Sequence, residues 1–230
     1  MMNELFTIEV FPVMLTLVAF RIGQACQKKF KLPIFNPTLI AMLLVIGFSL
    51  VTGMSVSRYK FGMSTISWLM TPATICLAIP MYQQFQVLKK SLPAIVTGVA
   101  AGTATCLVFL LGFCLVLGFD PSLTVSLLPK SVTTAIGVSL SDMFGGMGAV
   151  TTAAIIVTGI SANMLGTTFC KWFRITDPVA QGVAFGTAGH VIGTAKANEL
   201  GELTGAVSSL SLVVAGLLTA ILFPVIANFV

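Results

Sequence analysis

The chain has 230 residues, of which 57% are hydrophobic and only 8% charged, with a mean hydropathy of +1.04. A soluble domain carries about a quarter charged residues, so a water-soluble globular fold is excluded. The net charge of +5 does not signal nucleic acid, because the bases sit in short clusters (QKKFK, SRYK, VLKK, KWFR) between apolar runs, where membrane proteins keep them.

Taken in chain order, the apolar runs predict membrane-embedded helices over residues 5–25, 34–53, 65–82, 92–117, 127–143, 148–170, 178–200 and 203–229. Several are long enough for a hydrocarbon core of about 30 Å, which needs roughly 20 helical residues. The apolar runs are continuous, without the alternation of a transmembrane barrel. The fold class expected is therefore an all-α polytopic membrane protein with about seven or eight embedded helices. The opening MMNELFTIEVF carries acids where a secretory leader would carry bases, so none is expected. Cys26, Cys76, Cys106, Cys114 and Cys170 show no paired spacing, and one histidine serves the whole chain. No metal, cofactor or disulfide is expected, and the cysteines read as small apolar packing residues.

Not every segment is a clean span. Pro72 and Pro80 interrupt the third, Asn36 and Pro37 break the second, and the fifth and seventh carry glycines and polar residues. The stretch TPATICLAIPMYQQFQVLKKSLPAIVTGVAAGT loosely parallels FGTAGHVIGTAKANELGELTGAVSSLSLVVAG. Paired interrupted segments in two halves point to transporters built from internal repeats. The whole chain, 1–230, is read as one transmembrane domain with repeats over 1–118 and 119–230. Lys28, Lys29, Lys31, Lys89 and Lys90 argue that their loops are cytoplasmic. Lys171 and Arg174 join them only if one segment between Asp120 and Gly148 enters and returns on the same side. A re-entrant hairpin is expected there.

Two polar constellations stand out. In LPKSVTTAIGVSLSDMFGG, a helix starting near Lys130 would align Lys130, Thr134, Gly137 and Ser141 on one face, with Thr133 beside them. An ammonium followed by hydroxyls suits a small carboxylate, since lysine gives charge and hydroxyls give directed donors. A snorkelling lysine on an interfacial helix is the plain alternative. In GTAGHVIGTAKANELGE, a continuous helix would place Gly182, Gly186, Gly189 and Gly193 in a bare seam about 60° wide. Thr187, His190, Thr194 and Asn198 would form a polar stripe beside it. Close helix packing explains the seam but not the ionisable residues, which mark substrate or ion paths when embedded in lipid. Lys196 and Glu199 could equally pair at i, i+3 at the water interface. Each of the proline breaks reads first as an ordinary kink, though carbonyls freed around Thr71 and Thr74 could help coordinate a cation.

At these residues the chain resembles the LrgB/CidB family of bacterial membrane proteins, and the C-terminal half of the plastid glycolate/glycerate transporter. Lys130, Ser131, Thr133 and Thr134 match the family's PKSVTT motif. Gly186, Thr187, His190, Gly193, Thr194 and Lys196 match its GTA-H-GTA motif, followed by the acids Glu199 and Glu202. Ala135 stands where the family pattern has proline. The resemblance implies transport of a small monocarboxylate such as pyruvate, glycolate or glycerate across the bacterial cytoplasmic membrane. It equally implies antiholin-like control of murein hydrolases and autolysis. It also implies a smaller partner of the LrgA/CidA type, with homo-oligomers open.

On this reading Lys130, Ser131, Thr133, Thr134, His190, Gly193, Thr194 and Lys196 form the substrate site. Thr71, Thr74, Asn36, Glu199 and Glu202 serve coupling or gating, and His190 could carry a proton near its reference pKa of about 6.5. No Ser/His/Asp or metal-ligand spacing points to an enzyme.

Overall fold

The computed structural model describes residues 10–30, 35–76 and 78–230. Eleven α-helices and no strands occur among the described residues. They are α1 (Val10–Phe30), α2 (Pro37–Thr52), α3 (Val56–Gly62), α4 (Ser64–Cys76), α5 (Ala78–Gln83) and α6 (Phe85–Val116). After these come α7 (Pro121–Leu127), α8 (Thr134–Met143), α9 (Gly148–Trp172), α10 (Pro178–Leu200) and α11 (Glu202–Ala227). Four of them, α1, α6, α9 and α11, are long and apolar enough to cross a membrane. The chain divides into two compact units, residues 1–76 and 77–230.

In the first unit α1 packs on α2. Asn36 starts α2 as its N-cap, its Oδ1 accepting from the Thr38 and Leu39 amides, with Pro37 at the first helical position. Proline lacks the amide that would be orphaned there. Thr16 Oγ1 and Tyr59 Oη lie 2.7 Å apart and fasten α3 to α1.

The second unit is built inside out relative to a soluble protein. Large apolar side chains such as Val108, Phe109, Leu217 and Ile221 are exposed, whereas Thr151, Thr194, Ser208, Ser209 and Ser211 are almost fully buried. That is the pattern expected where small and hydroxyl residues let helices approach and exchange hydrogen bonds in lipid.

Residues 120–147 form a helical hairpin, the fold-back that a re-entrant segment would need. Asp120 caps α7 through Oδ2 on the Ser122 amide, with Pro121 following. The chain turns over residues 128–133 and returns as α8. Its two feet are tied: Ser122 Oγ donates to the Gly145 carbonyl at 3.0 Å, and the Met147 amide donates to Ser126 Oγ at 2.6 Å.

The seventh predicted helix is not continuous, and the expectation of one helical face through it fails. His190 adopts φ 42° and ψ −136°, which no helix tolerates, and divides α10 into two arms. The arms fold back on each other: the space above the Gly193 Cα is filled by the Phe185 carbonyl. Ala197 packs into one cluster with Phe185 and Cys170. Residues 12 apart in a straight helix would be about 18 Å apart, so α10 is a second hairpin with His190 at its tip. Asp177 caps its first arm through Oδ1 on the Ala180 amide, again with proline next.

The two hairpins enter from opposite ends. The first has its feet beside Gly148, where α9 begins, and the second has its feet just past Trp172, where α9 ends. With 25 residues, α9 is roughly 37 Å long, so the feet lie about a bilayer core apart and the tips approach one another between them. Helices α6 and α11 run parallel to each other, since Leu88, Ile95 and Val99 pack on Ala206, Val207 and Ala215, and Leu107 on Phe223. Lys89, Lys90, Lys171, Arg174 and Lys196 therefore share one end, and Asp120 and Asp142 the other. These lysine and arginine side chains thus gather at one end, the arrangement that the lysine loops would need.

Candidate functional site

A cavity of about 500 Å³ opens along α9, from Thr158 to Cys170. The tip of the first hairpin contributes Lys130 and Ser131, and the first arm of the second contributes Val183, Phe185, Thr187 and Ala188. Helix α6 closes another side with Gly98, Gly102 and Cys106. The close approach is made possible by Gly102, above whose Cα the Thr187 methyl already sits at 3.2 Å from a Cβ position.

Among the described lining residues Lys130 is the one charged group. Its half-buried ammonium donates to Ser131 Oγ at 3.3 Å, and Ser131 Oγ lies 3.5 Å from Cys106 Sγ. No acid pairs with it among the described residues. Thr103 on α6 and Thr187 on the cavity wall hold the buried side-chain hydroxyls without a hydrogen-bond partner among the described residues. A buried polar group left unpaired costs about 1–3 kcal/mol, and such exceptions call for an explanation. One free cation and the Ser131 hydroxyl in a largely apolar cavity can hold one small anion with a short tail, while the Thr187 hydroxyl is buried in the wall behind it.

Other residues expected at the site are placed elsewhere. Helix α8 starts at Thr134, four residues later than expected, so Lys130 belongs to the turn and shares no helical face with Thr134 and Ser141. Thr133 takes the N-cap position and Thr134 is exposed. His190 is 4% exposed, and its Nε2 lies 2.9 Å from the Ile155 carbonyl of α9. Its ring packs over Gly159, beside the cavity and within electrostatic reach of Lys130. Gly193 is the crossing point of the arms, and Thr194 Oγ1 joins the His190 carbonyl at 2.8 Å and Ser208 Oγ at 2.9 Å.

Lys196 and Glu199 form an ion pair of 2.7 Å at the foot of the hairpin, and Glu202 is exposed at the start of α11. These three charges lie at the foot of the hairpin and outside the cavity, as the pairing alternative would have them. Asn36 is engaged in capping α2. The side chains of Thr71 and Thr74 lie outside the described residues. Cys106, Thr158 and Ser161 line the cavity without having been singled out. Thr158 and Ser161, three apart in an apolar span, were the available signal.

The architecture defines a helical membrane protein with two opposed helical hairpins that meet at a polar-tipped cavity. Its family follows from comparison: the LrgB-like family model matches residues 16–229, nearly the whole chain, and the chain belongs to that family. This is a membrane family linked to murein hydrolase regulation and to transport. No solved structure matches the chain.

Proposed function

We propose that the chain is a secondary transporter, or the embedded subunit of one, for a small monocarboxylate such as pyruvate, glycolate or a related 2-oxo or 2-hydroxy acid. The observation that carries this reading is the unpaired Lys130 at a hairpin tip, lining a cavity with Ser131 beside it and Thr187 in the wall. The carboxylate would take the ammonium and the Ser131 hydroxyl, and Thr187 would reach the 2-oxygen by turning its buried hydroxyl into the cavity. A lone cation matches one carboxylate, and the apolar walls formed by Val183, Leu165 and Phe185 favour a short uncharged remainder.

Opposed hairpins whose tips meet between two aqueous ends are an inverted arrangement of the kind on which alternating access is built. Either tip could open the cavity to its own side. His190 then acts as the hinge of one tip, not as a ligand of the substrate. Proton or ion coupling, an LrgA/CidA-type partner and residence in a bacterial cytoplasmic membrane belong to the same proposal.

Proteoliposomes loaded with labelled pyruvate, glycolate or lactate test it against the antiholin-like alternative. Saturable flux that discriminates among these acids, and between the enantiomers of lactate, supports transport. Leakage of dyes without selectivity supports a pore that regulates lysis.

A further inference from the structure

A second cavity of about 500 Å³ lies at the basic end, among Thr167, Lys171, Arg174, Thr176, Gln181 and Leu200. The mechanism above makes no use of it. We propose that it binds a phosphate-bearing anion, with the headgroup of an anionic phospholipid in the cytoplasmic leaflet as the source its position favours.

Helix α9 ends in a left-handed turn. The Ile175 amide donates to the Cys170 carbonyl at 2.8 Å and the Arg174 amide to the Lys171 carbonyl at 3.2 Å. Ile175 also packs on Cys170. These are the two bonds and the apolar contact of a Schellman motif, whose left-handed position is ordinarily glycine. Here it is Arg174, at φ 54°. A side chain there costs about 1–2 kcal/mol relative to glycine, so the guanidinium is held beside Lys171 at a cost to folding.

Neither cation is neutralised internally: neither forms an ion pair among the described residues. The nearby acids are already engaged, Asp177 in capping α10 and Glu199 with Lys196. Gln181 Nε2 donates to the Ile175 carbonyl, which shapes the floor of the cavity. Two free cations with the Thr167 and Thr176 hydroxyls suit a phosphate group, whose tetrahedral non-bridging oxygens spread over more directions than the two oxygens of a planar carboxylate. Basic pockets between helices on the cytoplasmic side are where anionic headgroups dock. This cavity also shares Cys170 and Ile175 with the Lys130 cavity, so a bound headgroup would stand at its cytoplasmic mouth.

The test uses the full chain in detergent, titrated with phosphatidylglycerol, phosphatidylcholine or inorganic phosphate, and read by native mass spectrometry and thermal unfolding. Phosphatidylglycerol should bind and raise the unfolding temperature, while phosphatidylcholine should not. Inorganic phosphate giving the same shift at millimolar concentration would keep the site and assign it to the soluble anion. K171Q with R174Q should weaken binding at least tenfold, about 1.4 kcal/mol, whereas K89Q with K90Q at the same end should leave it unchanged.

R174G separates binding from folding. Glycine suits the left-handed position, so the lipid-free protein should unfold no earlier than wild type, yet its response to phosphatidylglycerol should shrink. An undiminished response in R174G, or an equal loss in K89Q/K90Q, would overturn the site. Lys130 is untouched by these variants, so transport can fail without this binding failing, and the reverse.

Discussion

The imidazole Nε2 of His190 lies 2.9 Å from the carbonyl oxygen of Ile155, and this bond fastens the tip of the second hairpin to the crossing helix α9. The tip is otherwise strained, because a bulky residue at φ 42° costs of order 1–3 kcal/mol. Removing the ring should release the tip and leave a buried hole. His190→Ala is expected to lose about 2–4 kcal/mol of stability together with transport, measured by thermal unfolding and flux. His190→Asn, which tolerates positive φ better, should lose less. If His190→Ala kept full stability and lost only substrate affinity, the ring would be a ligand instead.

The fold-back of the arms predicts a sharp contrast between two glycines. A Cβ at Gly193 would meet the Phe185 carbonyl at 2.5 Å, a backbone atom that cannot swing away. Gly193→Ala should destabilise by about 1–3 kcal/mol or more. At Gly112 in α6 nothing lies within 4 Å of the added carbon, and Gly112→Ala should be neutral or stabilising by up to about 1 kcal/mol. Equal effects at both positions would mean that α10 is a straight helix.

The hydroxyls of Thr194 and Ser208, 2.9 Å apart, tie the second arm to α11. A double-mutant cycle with Thr194→Val and Ser208→Ala should give a coupling of roughly 0.6 kcal/mol, as for interhelical hydrogen bonds in other membrane proteins. Additive losses would place the two side chains apart.

The Lys196–Glu199 pair is exposed on its acidic side, and such pairs contribute about 0.2–1 kcal/mol. Lys196→Ala and Glu199→Gln should each leave flux and substrate affinity within about twofold of wild type. A tenfold loss of substrate affinity in Lys196→Ala would return that lysine to the binding site.

Much of the fold was legible because lipid imposes long apolar runs. The clean spans at 92–117, 148–170 and 203–229 fall within or nearly on α6, α9 and α11. The hairpin at 120–147 could be read from charge, since Lys171 reaches the basic end only if that stretch returns. The second hairpin was missed because every residue from Pro178 to Leu200 is compatible with helix except in its tertiary setting. The break at His190 is imposed by its bond to Ile155 and the packing of Phe185 on Ala197, and neither shows in a helical wheel. One signal was available: Asp-Pro opens both hairpins, at Asp120 and at Asp177. At the site, Lys130 and Ser131 were legible from their chemistry. The stripe drawn through Thr187, His190 and Thr194 crossed a chain reversal, so only Thr187 reaches the cavity.

The central claim is that Lys130 holds the carboxylate in the cavity between the hairpin tips. Its most direct test is initial uptake of labelled monocarboxylate into proteoliposomes by wild type, Lys130→Ala and Lys130→Arg, with thermal unfolding recorded for each. The account predicts that Lys130→Ala folds with near-native stability and loses at least about tenfold in uptake, equivalent to 1.4 kcal/mol, and that Lys130→Arg recovers part of it. Saturable uptake by Lys130→Ala at the wild-type rate and affinity would contradict it.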